Sequence, residues 1–233
     1  MSELALAAFS HGTSSPSGQK VVAELMAAVG AARPLESLRL GYVDVQHPDI
    51  DETFASLDAD AAIAVVPLLL SAGYHVHVDL TRAVAKRSGP TVLTGALGPD
   101  PRLAQLMMRR LKQVGFSAAD VLVLAVAGSR DARAVADCHI VAEQLALATG
   151  HRVALGFLSA AQPRLGDAVA AARAANPGAR IVASSYLLAP GYFHDLVAAA
   201  GADLCTAPLL ADGEAPPPEL VEIVLDRYDA VAT

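Results

Sequence analysis

Three short segments of this chain occur twice, in the same order and at nearly constant spacing. Ala7–Thr13 (AAFSHGT) matches Val123–Ser129 (VLAVAGS), and Gly41–Pro48 (GYVDVQHP) matches Gly156–Pro163 (GFLSAAQP). Pro67–Tyr74 (PLLLSAGY) matches Ser185–Tyr192 (SYLLAPGY), and the three offsets are 116, 115 and 118 residues. One match is compatible with chance, but three in register describe a duplication, which constrains the fold more than composition does. The boundary is expected near Gly115–Ala119, giving a first half of residues 1–116 and a second half of residues 117–233.

Within each half, apolar runs of strand length alternate with Ala-rich stretches. Strands are predicted over Leu4–Ser10, Leu38–Val43, Ala61–Leu69 and Thr91–Ala96, then Val121–Val126, Arg152–Leu158, Arg180–Leu187 and Asp203–Ala207. Helices are predicted over Gly18–Ala32, Arg102–Val114, Ala132–Thr149 and Leu165–Ala175, among others. Continuous apolar strands separated by helices point to parallel sheets covered on both faces. Each half is therefore expected to be a four-stranded flavodoxin-like (Rossmann-type) α/β layer. The composition agrees: 54% of the 233 residues are hydrophobic, only 4% are aromatic, and Trp is absent.

Several function classes fall away. Apolar runs such as Ala61–Leu70 are too short to cross a bilayer, and MSELALAAFS has neither the basic start nor the cleavage site of a signal peptide. Cys138 and Cys205 are too few for a disulfide framework or a Cys-based metal site. They read as buried thiols in a reducing cytoplasm, the expected location. A net charge of −7 argues against a nucleic-acid partner, so an anionic ligand needs local cations. Walker A, GxGxxG and GxSxG patterns are absent, and Ser10 stands where a histidine phosphatase needs Arg before its His-Gly.

The duplication is also an internal control. At matched places the first half has His11, Asp44 and His75, and the second has Ala127, Ser159 and Phe193, within a retained Gly and apolar framework. Residues with a purely structural role should survive in both copies, so this loss points to one chemical site, in the first half. All three follow predicted strands, at the carboxyl ends where open α/β sheets place their ligands. Two imidazoles and a carboxylate form an N/O set suited to Fe2+, Co2+, Ni2+ or Zn2+.

AFSHGT and PLLLSAGYHVHVDL resemble the two signature motifs of the sirohydrochlorin chelatase family, the class II tetrapyrrole chelatases. GYVDVQHP is similar to the segment between them, although Asp44 stands where the family usually has the longer Glu. The resemblance covers nearly the whole chain. It implies two similar chelatase-like domains about a pseudo-twofold axis and facing a shared cleft. It implies insertion of Fe2+ or Co2+ into sirohydrochlorin for siroheme or cobalamin, with the metal as substrate and no permanently bound cofactor. Nickel insertion and a non-catalytic tetrapyrrole or metal carrier are the alternatives. His11 and His75 are then the catalytic residues, and the metal set is His11, His75 and Asp44. Neutral imidazole serves as ligand or base at cellular pH.

Such a substrate is a polycarboxylate, so cations and N–H donors should contact it. Arg82 and Lys86, with Arg87 beside them, continue the helical face of His75 and Asp79. Gly12, Thr13, Ser14 and Ser15 open the first helix, where amides and hydroxyls favour anions. Ser129 and Arg130 hold the equivalent loop of the second half. His77 is expected to be an auxiliary metal or surface residue and His47 is a candidate stand-in ligand; His139, His151 and His194 are expected to have no chemical part. With both halves in one chain, a monomer should suffice, and a dimer is allowed.

Overall fold

A computed structural model describes residues 4–71 and 74–232, and of residues 74–77 the backbone only. The first half contains β1 (Ala5–Ser10), α1 (Pro16–Ala32), β2 (Leu38–Tyr42), α2 (Ile50–Ala55), β3 (Ile63–Pro67), α3 (Tyr74–Ala85), β4 (Thr91–Leu93) and α4 (Pro101–Gln113). The second contains β5 (Val121–Val126), α5 (Ala132–Thr149), β6 (Val153–Phe157), α6 (Leu165–Ala175), β7 (Ile181–Tyr186), α7 (Tyr192–Ala198), β8 (Leu204–Cys205) and α8 (Pro218–Asp229). All eight strands fall within the predicted apolar runs. The sheets run β2-β1-β3-β4 and β6-β5-β7-β8, all pairs parallel. This is the flavodoxin-like order, twice.

Burial of both sheet faces explains why the strands lack polar alternation. Ala5, Ala7 and Phe9 of β1 and Ile63 and Val65 of β3 pack on Phe54 and Leu57 below α2 and on Leu80 and Ala83 of α3. Side chains alternate along a strand, so Leu6, Ala8, Ala64 and Val66, all 0% exposed, face the other way, toward α1 and α8. In the second sheet Val123, Ala125, Ile181 and Ala183 pack with Leu165, Ala168, Val169 and Val197 of α6 and α7. The opposite face meets α4 and α5.

The compact units do not coincide with the sequence repeats of 1–116 and 117–233. One unit comprises residues 1–97 and 215–233, the other residues 98–214. The last helix of each repeat completes the other repeat's unit. Helix α8 buries Leu220, Ile223, Val224 and Tyr228 in the first unit. There the Tyr228 hydroxyl donates to the Leu4 carbonyl at 2.6 Å, and the Arg227 guanidinium donates to the Ala96 and Leu97 carbonyls. Helix α4, N-capped by Asp100, buries Leu103, Leu106, Met107 and Leu111 in the second unit. Its Arg110, 3% exposed, donates to the Leu209 carbonyl and pairs with Glu214.

The duplication extends to single backbone bonds in the loops that follow the first strand of each sheet. The Asp44 amide donates to the His11 carbonyl at 2.9 Å, as the Ser159 amide does to Ala127 at 2.9 Å. Gln46 N–H returns to the Asp44 carbonyl at 2.7 Å, and Ala161 N–H to Ser159 at 2.6 Å. Gly12 and Gly128 have φ of +97° and +91°, and a Cβ on either would sit 2.0 Å from the carbonyl oxygen of Asp44 or Ser159. Only glycine fits there, by conformation and by space. Val45 and Ala160 both follow in the left-handed region, at φ 67° and 58°.

The turn between the repeats is fixed by charge. The Asp120 carboxylate, 9% exposed, receives two bonds from Arg180 at 2.9 and 2.7 Å and two from Ser117 at 2.7 and 3.1 Å. The Arg180 bonds, helped by Ser117 and opposed by burial, hold its pKa down at about 2.

Two stability predictions follow from these contacts. Gly128→Ala, at φ +91° and against the Ser159 carbonyl, should destabilise by at least about 1 kcal/mol, lowering Tm by roughly 2–4 °C or more. An unchanged melting curve would contradict the close approach. Asp120→Asn should remove about 1–3 kcal/mol of charged hydrogen bonding at pH 7. Because the folded pKa is depressed, that stability is present above the unfolded carboxylate value near 3.8 and is lost as pH falls through about 2. Melting curves of wild type and Asp120→Asn should therefore converge in acid; a constant gap down to pH 2 would refute the assignment.

Candidate metal centre

His11 and Asp44 lie just past the carboxyl ends of two neighbouring strands, and His75 lies in the helix that follows a third. Strand β1 lies between β2 and β3, with Ser10 paired to Tyr42 and Phe9 to Pro67, so the three ends are level. Neighbouring strands lie about 4.8 Å apart, which keeps the loops after them close together. His11 follows β1 directly and is exposed. Asp44, also exposed, lies two residues past β2 and is joined to His11 by its amide. His75 belongs to the first turn of α3, after β3; its side chain and that of His77 lie outside the described residues.

The Asp44 carboxylate is oriented within its own loop, where Oδ1 accepts the Val45 amide at 2.8 Å. Among the described residues Oδ2 has no hydrogen-bond partner. Gln46 supplies a tie that the sequence did not reveal. Its side-chain oxygen accepts the Thr13 amide at 2.8 Å, and Gln19 donates to the Thr13 carbonyl at 2.8 Å. The second repeat has Ala161 in place of Gln46, a difference that would have flagged the residue. Beneath the loop, burial pushes the Tyr42 phenol up, opposed by a hydrogen bond with Gln46.

The helix-opening segment is partly self-satisfied. Gly12 N–H faces Ser10 Oγ at 3.5 Å, Thr13 N–H is held by Gln46, and Ser15 N–H donates to Thr13 Oγ1 at 3.1 Å. Ser15 Oγ is the N-cap, accepting from Gly18 at 3.4 Å. Amides from three of these four residues are thus engaged in shaping the loop. Ser14 is exposed, and its hydroxyl with that of Thr13 is what the segment presents to a ligand.

Arg82 and Lys86 are exposed on α3 and line one groove with Val43, Asp49, Ile50, Asp51, Asp79 and Ala83, of about 380 Å³. The groove begins beside the Asp44 loop, at Val43. Among the described residues neither cation forms an ion pair, although three carboxylates share the groove. Arg87 is used otherwise than expected. It donates to Thr91 Oγ1 and to the Asp58 and Ala59 carbonyls and lies 5.3 Å over the Phe54 ring, which ties the end of α3 to the preceding loop. Arg130 is exposed just past β5, in the second unit.

His47, Asp49 and Glu52 form a second cluster, with ligand atoms within 4.8 Å of one another. It is explained without a metal. Asp49 and Glu52 make the capping box of α2, and His47 Nδ1 pairs with Glu52 Oε2 at 2.8 Å. That hydrogen bond and charge raise the His47 pKa and lower that of Glu52. The remaining histidines differ in setting. His151 bonds the Thr149 carbonyl and packs edge-on to Phe116, His194 bonds the Thr206 carbonyl at 3.1 Å, and His139 is exposed. Phe193, in the place of His75, packs against the second core. No helix among the described residues is long and apolar enough to cross a membrane.

Comparison with known proteins gives this geometry a context. The CbiX family model matches residues 5–114 and 121–203. A sirohydrochlorin cobaltochelatase of Sulfurisphaera tokodaii is 29% identical over 77 residues, which span 32% of this chain and 64% of that relative's length. Among solved structures, SirB from Bacillus subtilis with Fe3+ superposes with a TM-score of 0.83 at 20% identity, covering 99% of this chain and 96% of that one. The sirohydrochlorin chelatase SirB of Bacillus subtilis subspecies spizizenii in complex with cobalt gives 0.72 at 16%, covering 99% and 95%. A CbiX described as the terminal enzyme of siroheme biosynthesis in denitrifying bacteria gives 0.67 at 18%, covering 97% and 99%. The doubled sheet accounts for the structural likeness, and since the family model spans most of both repeats, the chain belongs to the CbiX family.

Proposed function

We propose that this protein is a metal chelatase that inserts Fe2+ or Co2+ into sirohydrochlorin, on the way to siroheme or cobalamin. One observation carries the reading: the ends of β1, β2 and β3, the strands that precede His11, Asp44 and His75 in sequence, are adjacent and level, in the one repeat that keeps all three residues. The iron- and cobalt-bound SirB relatives support a metal of this kind, and the cobaltochelatase relative supports the macrocycle.

In this reading the metal is a substrate and passes through the site. Insertion requires removal of water from the cation and of the two pyrrole N–H protons. Imidazole at His11 and His75 replaces water on the metal and accepts protons. Asp44 adds negative charge that draws the cation in, with Oδ2 available as ligand or proton acceptor. The macrocycle's carboxylates meet Arg82 and Lys86 along the groove, and the Thr13 and Ser14 hydroxyls beside Gly12. The reaction needs no membrane or nucleic acid, runs in the cytoplasm, and is complete in one chain.

Two experiments test it. Anaerobic, absorbance-monitored insertion should fall by about 10²-fold or more in His11→Ala and in His75→Ala, with circular dichroism unchanged. Asp44→Asn should lie between these and wild type, and His194→Ala should insert at the wild-type rate despite losing its bond to Thr206. Wild-type rates in both His11→Ala and His75→Ala would sink the assignment. Separately, Arg82→Ala and Lys86→Ala should raise the KM for the tetrapyrrole more than they lower kcat, and added salt should narrow the difference. Salt-independent, unchanged KM values would remove the groove from the binding site.

A further inference from the structure

Val45 combines two features that rarely occur together. Its φ of 67° puts a β-branched residue in the left-handed region, which such residues strongly avoid. Strain of this kind persists where surrounding structure over-determines it. Here the determinants are visible: the Asp44 amide is held by His11, the Val45 amide by Asp44 Oδ1, and the Gln46 amide by the Asp44 carbonyl. The strain is not repaid by packing, because Val45 is 59% exposed.

The second repeat separates backbone from side chain. Ala160 occupies the matched position at φ 58° with equivalent backbone bonds, so the conformation belongs to the loop and does not require a large side chain. The bulky apolar group occurs only in the copy that has His11 and Asp44. A Cβ added at Gly12 would lie 3.5 Å from the Val45 Cβ, so the glycine leaves the valine unscreened on that side. An isopropyl group thus projects from a polar loop immediately beside two proposed metal-binding positions.

We infer that Val45 is a substrate-positioning residue whose side chain packs against the apolar face of the macrocycle and sets the ring's height over the metal. The inference rests on the chelatase reading above. The chemistry it matches is a flat conjugated surface edged by carboxylates: the edges suit Arg82 and Lys86, while the face suits an aliphatic contact that excludes water. Strain fixed in the free protein means that the contact is already in place before the ring arrives.

The test uses the full chain, metal-free sirohydrochlorin and the variants Val45→Ala and Val45→Ile. Val45→Ala copies the second repeat, so its Tm should equal or exceed that of wild type. Direct titration by absorbance should show tetrapyrrole binding weakened by about 5- to 15-fold, the loss expected for two buried methyl groups. The KM for metal should stay within about twofold, since no ligand is touched, and Val45→Ile should bind as wild type does. Equal tetrapyrrole affinity in Val45→Ala and wild type overturns the inference and leaves the chelatase reading standing. A higher KM for metal with unchanged tetrapyrrole binding also overturns it, because Val45 would then act only through Asp44. A wild-type protein that binds no sirohydrochlorin overturns the chelatase reading and, with it, this inference.

Discussion

The contact on which the proposed site depends is made by backbone. The Asp44 amide donates to the His11 carbonyl while Gly12 lies against the Asp44 carbonyl, so the chain leaving β1 and the chain leaving β2 are clipped together beyond the sheet. Parallel strands diverge into separate crossover connections as soon as their ladder ends. Without the clip, two side chains 33 residues apart in sequence would have independent loops. With it, their relative placement is as fixed as that of ladder partners, and each side chain remains free to carry chemistry. The second repeat keeps the clip with Ala127 and Ser159 in place of His11 and Asp44, so the clip does not depend on those side chains.

Much of the scaffold is legible in the sequence because buried parallel strands announce themselves as unbroken apolar runs. Their ends are less clear. Apolar residues continue past β3 into Leu68–Leu70, but the strand ends at Pro67, which has no amide hydrogen to extend the ladder toward β4. Helix α2 has too few turns to show periodicity; its one local signal is the Asp49–Glu52 capping box. The destinations of α4 and α8 are not readable at all. Both are amphipathic stripes, and nothing local states which sheet a stripe will cover.

The candidate site is legible only in part, for a related reason. His11 and Asp44 can be picked out because the duplication supplies a second copy for comparison. Gln46 is within reach of the same comparison, since Ala161 replaces it. Arg82, Lys86 and Arg87 cannot be sorted from sequence, being alike in charge and nearly consecutive. The structure separates them by what lies within reach: Arg87 finds two backbone carbonyls and an aromatic ring, whereas Arg82 and Lys86 stand over a groove. A net charge of −7 makes that separation consequential, because an anionic ligand then depends on local cations against the overall field.

The trading of final helices makes the two repeats indivisible. Severed at the repeat boundary, the first fragment would carry α4 without the sheet that α4 covers, and would lack Leu220, Ile223 and Val224 over its own. Its bare sheet face and its orphan amphipathic helix are complementary in kind, so two such fragments could satisfy each other by reciprocal exchange, the geometry of a swapped dimer. Gene fusion of that arrangement would tether partners that already depended on one another. In a tethered pair, one copy bearing His11, Asp44 and His75 would be enough, and the other, with Ala127, Ser159 and Phe193 at the matched places, would serve as its structural counterpart.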